Sequence, residues 1–130
     1  MKNILLVSTL FVSAFSFAQS KVYAGEAYQA AADALFNVEL TITKDKKYLI
    51  NYTSEGCSGE LKFIKEDELG FLYFKEKITK GKDVCQDGLN VYLIYTDEDK
   101  KTLNFKAEAT EEEDDFFRTL GDLTLKENQK

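Results

Sequence analysis

Apolar and polar residues alternate with a period of two along most of this chain. Phe36, Val38, Leu40 and Ile42 are interleaved with Asn37, Glu39, Thr41 and Thr43, the pattern of a strand with one wet face and one buried face. After the charged turn Lys44-Asp45-Lys46-Lys47, Tyr48, Ile50 and Tyr52 repeat it. Gly59 opens a further strand, with Leu61 and Phe63 on one face and Glu60 and Lys62 on the other, and Glu66-Asp67-Glu68 with Gly70 turns the chain back. Phe71 to Ile78 is apolar on both faces at its start, which predicts a central strand. Leu72, Phe74, Glu76 and Ile78 share one of its faces. Val91, Leu93 and Tyr95 alternate with Tyr92 and Ile94. Asp97 to Lys100 then forms a polar turn, and Leu103, Phe105 and Ala107 continue the meander.

The ends of this series are less regular. Val22 to about Tyr28 reads as a first strand, followed by an Ala-rich link to Ala34 that has the composition of a helical turn. The acidic run Glu111 to Asp115 precedes a last strand, predicted from Phe116 to Leu125. Roughly eight strands at hairpin spacing, with no βαβ unit, predict an all-β antiparallel meander; such a sheet hides its edges by closing into a small barrel or folding into a sandwich.

Residues 1–18 read as a signal peptide. Lys2 precedes an apolar run from Ile4 to Phe17, and Ser16-Phe17-Ala18 offers small residues where a signal peptidase cuts. That run is short for a membrane span, and no later stretch approaches the ~20 apolar residues a spanning helix needs. The expectation is a periplasmic or secreted chain whose residues 19–130 form one β-barrel-like domain. Removing Lys2 leaves 16 of the 17 basic residues against 23 acidic ones, a net charge of −7. Such a balance disfavours nucleic acid, whose binding rests on Lys and Arg neutralising phosphates, and it suits a cationic partner.

Two cysteines, Cys57 and Cys85, complete the composition. In an exported chain two cysteines pair, and closing this loop stabilises by roughly 3.5 kcal/mol on the chain-entropy account. The segments around them carry a resemblance. Tyr52, Ser54, Cys57, Gly59 and Leu61, then Phe74, Glu76 and Ile78, then Gly81, Cys85, Gly88 and Val91 follow a recurring pattern of exported bacterial β-domains. That pattern is Tyr-Pro-Ser-x-x-Cys-Gly-Gly-x-Leu, Phe-x-Glu-x-Ile and Gly-x-x-x-Cys-x-x-Gly-x-x-Val. The chain resembles these small domains, some free-standing and some attached outside membrane-bound kinases; Thr53 stands in place of the proline and Ser58 in place of the first glycine. The resemblance implies a disulfide-bearing, barrel-like domain outside the cytoplasm and brings no catalytic residues.

The candidate chemistry is sparse. Without histidine the chain lacks the usual zinc ligand, the usual neutral-pH base and any Ser-His-Asp arrangement. Gly56-Cys57-Ser58-Gly59 lacks the spacing of a nucleophile elbow. Asp97-Glu98-Asp99 and Glu111 to Asp115 lack the spacing of a calcium loop and read as solvated charge runs. No metal site, cofactor or catalytic residue is therefore assigned, and a hydrolase would require two acids that nothing singles out.

Glu76 is the exception, because alternation turns it inward with Leu72, Phe74 and Ile78. A carboxylate there needs a partner, and the expectation is an ion pair with Arg118, the only arginine, or a cluster of tyrosine hydroxyls. Tyr23, Tyr28, Tyr73 and Tyr92 are candidates for exposed faces. Tyr73 and Tyr92, together with Glu111, Glu112 and Glu113, form the expected partner-binding set. The resulting expectation is an exported, non-enzymatic binding protein docking an unidentified protein partner, a cationic one by the charge balance, in the manner of lysozyme inhibitors or toxin-immunity proteins. The second reading is a lipocalin-like carrier of a small apolar ligand, which requires an open apolar cavity.

Overall fold

A computed structural model describes residues 20–126; the expected signal peptide, residues 1–18, lies outside them. The described residues form eight strands in one closed antiparallel barrel. The strands are β1 (Lys21–Gln29), β2 (Ala34–Ile42), β3 (Tyr48–Tyr52), β4 (Cys57–Glu66), β5 (Leu72–Lys80), β6 (Asn90–Tyr95), β7 (Thr102–Glu108) and β8 (Thr119–Leu125). Each pairs with its neighbours in sequence, and β1 pairs with β8 to close the ring, so no strand edge is left and the sandwich alternative falls.

The period-two pattern is what fills the interior. Tyr23, Val38, Leu40, Ile50, Leu61, Phe74, Ile78, Val91, Leu93, Leu103, Phe105 and Leu123 are all buried on the inner face. Bulk and smallness are matched in register: Phe105 lies opposite Gly121 across β7 and β8, and Phe36 opposite Ala27 across β1 and β2. The β1–β8 seam closes tightly at Gly121, where a Cβ would come within 2.7 Å of the Ala27 Cα. Only a residue without a side chain fits there.

Three local expectations are corrected. The Ala-rich link is a four-residue turn, Ala30 to Asp33, with Asp33 at φ 50°; a strand running to Gln29 leaves no length for a helical turn. The last strand starts at Thr119, because the Phe116 carbonyl accepts the Ala31 amide (2.8 Å) and holds the preceding residues in the loop. Tyr23 is fully buried, its hydroxyl donating to the Lys100 carbonyl at 2.8 Å, so the polar tip is satisfied without solvent.

Up-and-down order sends alternate loops to opposite ends. One end carries the turns 30–33, 53–56, 81–89 and 109–118; the other carries 43–47, 67–71 and 96–101 with the outer ends of β1 and β8. Cys57 opens β4 and is bonded to Cys85 in the 81–89 loop, with a Cα–Cα distance of 6.3 Å, so the staple belongs to the first end. Gly81 makes this approach possible: it has φ +83°, and a Cβ on it would lie 2.7 Å from the Cys57 Cβ.

Candidate functional site

The two ends differ in charge. The four loops of the stapled end hold nine carboxylates, Asp33, Glu55, Asp83, Asp87 and Glu111 through Asp115, against two cations, Lys82 and Arg118. The three loops of the other end hold six acids against five lysines. The acidity of the chain is therefore concentrated on one face.

Arg118 organises the most acidic of these loops. Its guanidinium pairs with Glu108 at the end of β7 and with Asp115 (2.7 Å), and donates to the Glu111 carbonyl at 3.4 Å. These partners, Asp115 first, raise its pKa further. Glu108 faces outward by alternation yet is only 2% exposed, because the 109–118 loop folds over it. The Ala109 amide donates to Glu113 Oε1 (2.8 Å), fastening the loop at its start. Gln29 Nε2 donates to the Phe117 carbonyl at 2.9 Å. With their backbones hung on β1 and the turn after it, Phe116 and Phe117 turn their rings outward, 54% and 52% exposed, in an edge-to-face pair. Val84 is 59% exposed on the stapled loop of the same end. The acidic end of the barrel thus also exposes apolar side chains.

Glu76 faces inward as expected, but the pair with Arg118 is not formed. The Tyr52 hydroxyl donates to Glu76 Oε2, while Arg118 is taken by Glu108 on the outside of the barrel. Of the two partners considered for Glu76, the tyrosine is the one in place. The reason is topological: Arg118 leaves the barrel wall in a loop before β8 begins, on the outward side. Glu76 is tied at its backbone too, its amide donating to the Leu89 carbonyl (2.8 Å) and its carbonyl accepting the Gly88 amide (3.1 Å). The Asp87 carboxylate accepts the Ile78 amide at 2.8 Å, so the 81–89 loop lies along β5 beside the buried acid.

Burial raises the Glu76 pKa to about 7; the Tyr52 hydrogen bond opposes the rise and the negative charge of Asp87 adds to it. Burial likewise pushes Tyr52 well above its usual value, with Glu76 adding to the shift, so the phenol stays protonated and donates. Above these two groups a cavity of about 170 Å³ opens toward the acidic loops, walled by Phe36, Val84, Cys85 and Leu89 and by the amides of Gln29 and Gln86. It adjoins a second hollow of about 340 Å³ bordered by Glu108, Glu113 and Phe117.

No family model, curated protein or solved structure matches this chain.

The remaining expected partner-binding residues are placed differently. Tyr73 and Tyr92 pair across β5 and β6 on the outer wall, ring centroids 5.0 Å apart. Both are half-buried, with Lys65 and Lys106 each 4.8 Å from a ring centroid. The Tyr73 hydroxyl donates to Asp67 Oδ2 at 2.9 Å. Glu111 reaches this pair electrostatically and adds to the raised pKa of each, while Glu112 is exposed and Glu113 half-buried at the loop base. Their rings are already covered, so the tyrosines brace the wall, and the open phenylalanines of the stapled end are Phe116 and Phe117. The sequence held one signal for these: two adjacent phenylalanines cannot both face inward on a strand.

The opposite end carries a wider hollow of about 840 Å³, bordered by Lys21, Lys44, Lys46 and Lys100 around Tyr48 and Tyr95. All four lysines are exposed, and Lys100 lies 5.3 Å from the centroid of the Tyr95 ring. Among the described residues no three of His, Cys, Asp and Glu converge to hold a metal ion, and no helix is long and apolar enough to cross a membrane.

Proposed function

We propose that this chain is an exported, non-enzymatic binding module that docks a cationic protein partner on the stapled end of its barrel. The observation that carries the reading is the charge segregation: nine carboxylates against two cations at the end that also exposes Phe116, Phe117 and Val84. An acidic end speeds encounter with a cationic surface, and aromatics exposed on the same end supply the short-range energy. The disulfide fits a periplasmic or extracellular setting, as does the resemblance of the stapled segments to exported domains.

The carrier reading ranks second. The middle of the barrel is filled by Leu40, Phe74, Leu93 and Phe105, and the hollows of about 170, 340 and 840 Å³ lie toward its ends and are open rather than enclosed, unlike the interior cavity a carrier needs. The test is capture from periplasmic and secreted protein mixtures by the immobilised chain, with mass spectrometry of retained proteins and lipids. The expected result is a stoichiometric basic protein, released as salt is raised across the range where the Debye length shrinks below ~10 Å. A stoichiometric lipid with no protein would replace this reading with the carrier.

A further inference from the structure

We infer that the cavity above Tyr52 and Glu76 is a socket for a single cationic side chain, the tip of a partner's lysine or arginine, with Glu76 as its counter-ion. The inference deepens the docking reading and rests on it.

Glu76 has one carboxylate oxygen without a partner among the described residues. Tyr52 occupies Glu76 Oε2, and among the described residues no donor reaches Oε1. No buried side-chain oxygen there is both sealed from solvent and unpartnered, so Oε1 must open onto the cavity that Glu76 lines. Tyr52 from β3 and Glu55 from the 53–56 turn line that cavity, Asp87 on the 81–89 loop acts on Glu76 through its charge, and Glu108 and Glu113 border the adjoining hollow. No lysine or arginine lines either space. A carboxyl that shares a small cavity with Glu55 and with no cation lacks one thing, a positive charge, and the acidic loops around it favour its entry. The walls suit the rest of such a side chain, since Phe36, Leu89 and Cys85 present apolar surface to an alkyl stem. The volume admits a side-chain tip and excludes a folded segment or a lipid.

Entry of a cation requires the Glu76 carboxylate, and its folded pKa of about 7 makes binding pH-dependent. With only the ionised fraction competent, affinity should rise roughly tenfold between about pH 6 and pH 8. Two probes separate this inference from the docking reading. n-Butylammonium is small enough for the socket alone, and a decalysine peptide also reaches the acidic rim; both are titrated into the full chain by NMR and calorimetry. The expected result is that butylammonium perturbs Leu89 and Tyr52, binds about tenfold more weakly at the lower pH, and loses its binding in Glu76→Gln. Tyr52→Phe provides a second handle that keeps the carboxylate. Removing the hydroxyl that lowers the Glu76 pKa should move the pH midpoint of butylammonium binding upward.

Decalysine binding without butylammonium binding, or butylammonium binding indifferent to both substitutions, overturns the socket and leaves the docking reading standing. Failure of both probes to bind overturns both.

Discussion

Tyr52 donates its hydroxyl to Glu76 across the interior of the barrel, from β3 to β5, over 24 positions of sequence. Glu76 holds its proton up to about pH 7 when folded, against an ordinary value of 4.5. Between those values the folded chain binds more protons than the unfolded chain, so the contribution of this group is fully present below 4.5 and is lost as pH rises through about 7. A shift of this size corresponds to about 3 kcal/mol. The expected outcome is that wild type loses stability between about pH 5 and pH 8 in urea titrations and that Glu76→Gln does not. Parallel profiles for the two proteins would refute it. Asp87, held low by the Ile78 amide, does not interfere, and neither do Asp67 and Asp97, in which backbone hydrogen bonds outweigh the opposing effect of burial. Their contributions disappear only as pH falls below 3.8.

The disulfide closes a span of 28 residues containing the rest of β4, all of β5 and most of the loop beside Glu76. Replacing both cysteines by serine is expected to cost about 3.5 kcal/mol on the chain-entropy account. The loss should be local as well as global. Amides of Cys85 and Gly88, which donate to Gly81 and Glu76 carbonyls, should exchange hydrogen faster than those of β7 at equal global stability. Uniform acceleration along the chain would show that the staple acts through the unfolded state alone.

Glu108 is buried on the outer wall under the 109–118 loop with Arg118 as its cation, and removing Arg118 leaves that carboxylate desolvated without a counter-charge. Arg118→Ala should therefore destabilise more than the double variant Arg118→Ala/Glu108→Gln, although the double variant loses more native atoms. Chemical denaturation supplies the ranking. Hydrogen exchange at Ala109 and Phe117, whose amides are bonded within the acidic loop, should rise in Arg118→Ala first. If the single variant is the more stable of the two, the pair is a surface contact without structural weight.

What could be read from the sequence and what could not divide along a physical line. Strands β2, β3, β5, β6 and β7 are legible because one wall is buried and the other wet, so each side chain declares its face. The cysteine pairing followed from composition and context. The partner of Glu76 was not fixed, because alternation shows that a residue turns inward and says nothing of which residue meets it across a closed barrel. Arg118 fell in a loop, where no periodicity reports direction, and its position depends on Phe116 and Phe117 being hung from β1 and its turn. Charge segregation was invisible for another reason: total charge is a sum, and only up-and-down order assigns the acids to one end.

The proposed docking surface makes two separable predictions, since its aromatics and its acids would act on different quantities. Phe116 and Phe117 are more than half exposed, so Phe116→Ser/Phe117→Ser should change stability by no more than about 0.5 kcal/mol. It should weaken binding of the captured basic protein at least tenfold, the scale of about 2 kcal/mol typical of an aromatic anchor, with the effect in the dissociation rate. Neutralising Asp83, Glu111 and Glu112 to amides, which keeps Asp114 on the Phe116 amide and Asp115 on Arg118, leaves the rings in place and should slow association while flattening its salt dependence. Glu113 is spared because it fastens the loop to the Ala109 amide. Phe63 and Ile64, 57% and 56% exposed on β4 away from the acidic loops, provide the control: Phe63→Ser/Ile64→Ser should leave both rates unchanged. Surface plasmon resonance at two salt concentrations separates the cases. If the control pair weakens binding and the loop variants do not, the partner sits elsewhere on the barrel and the acidic end is a solvated face.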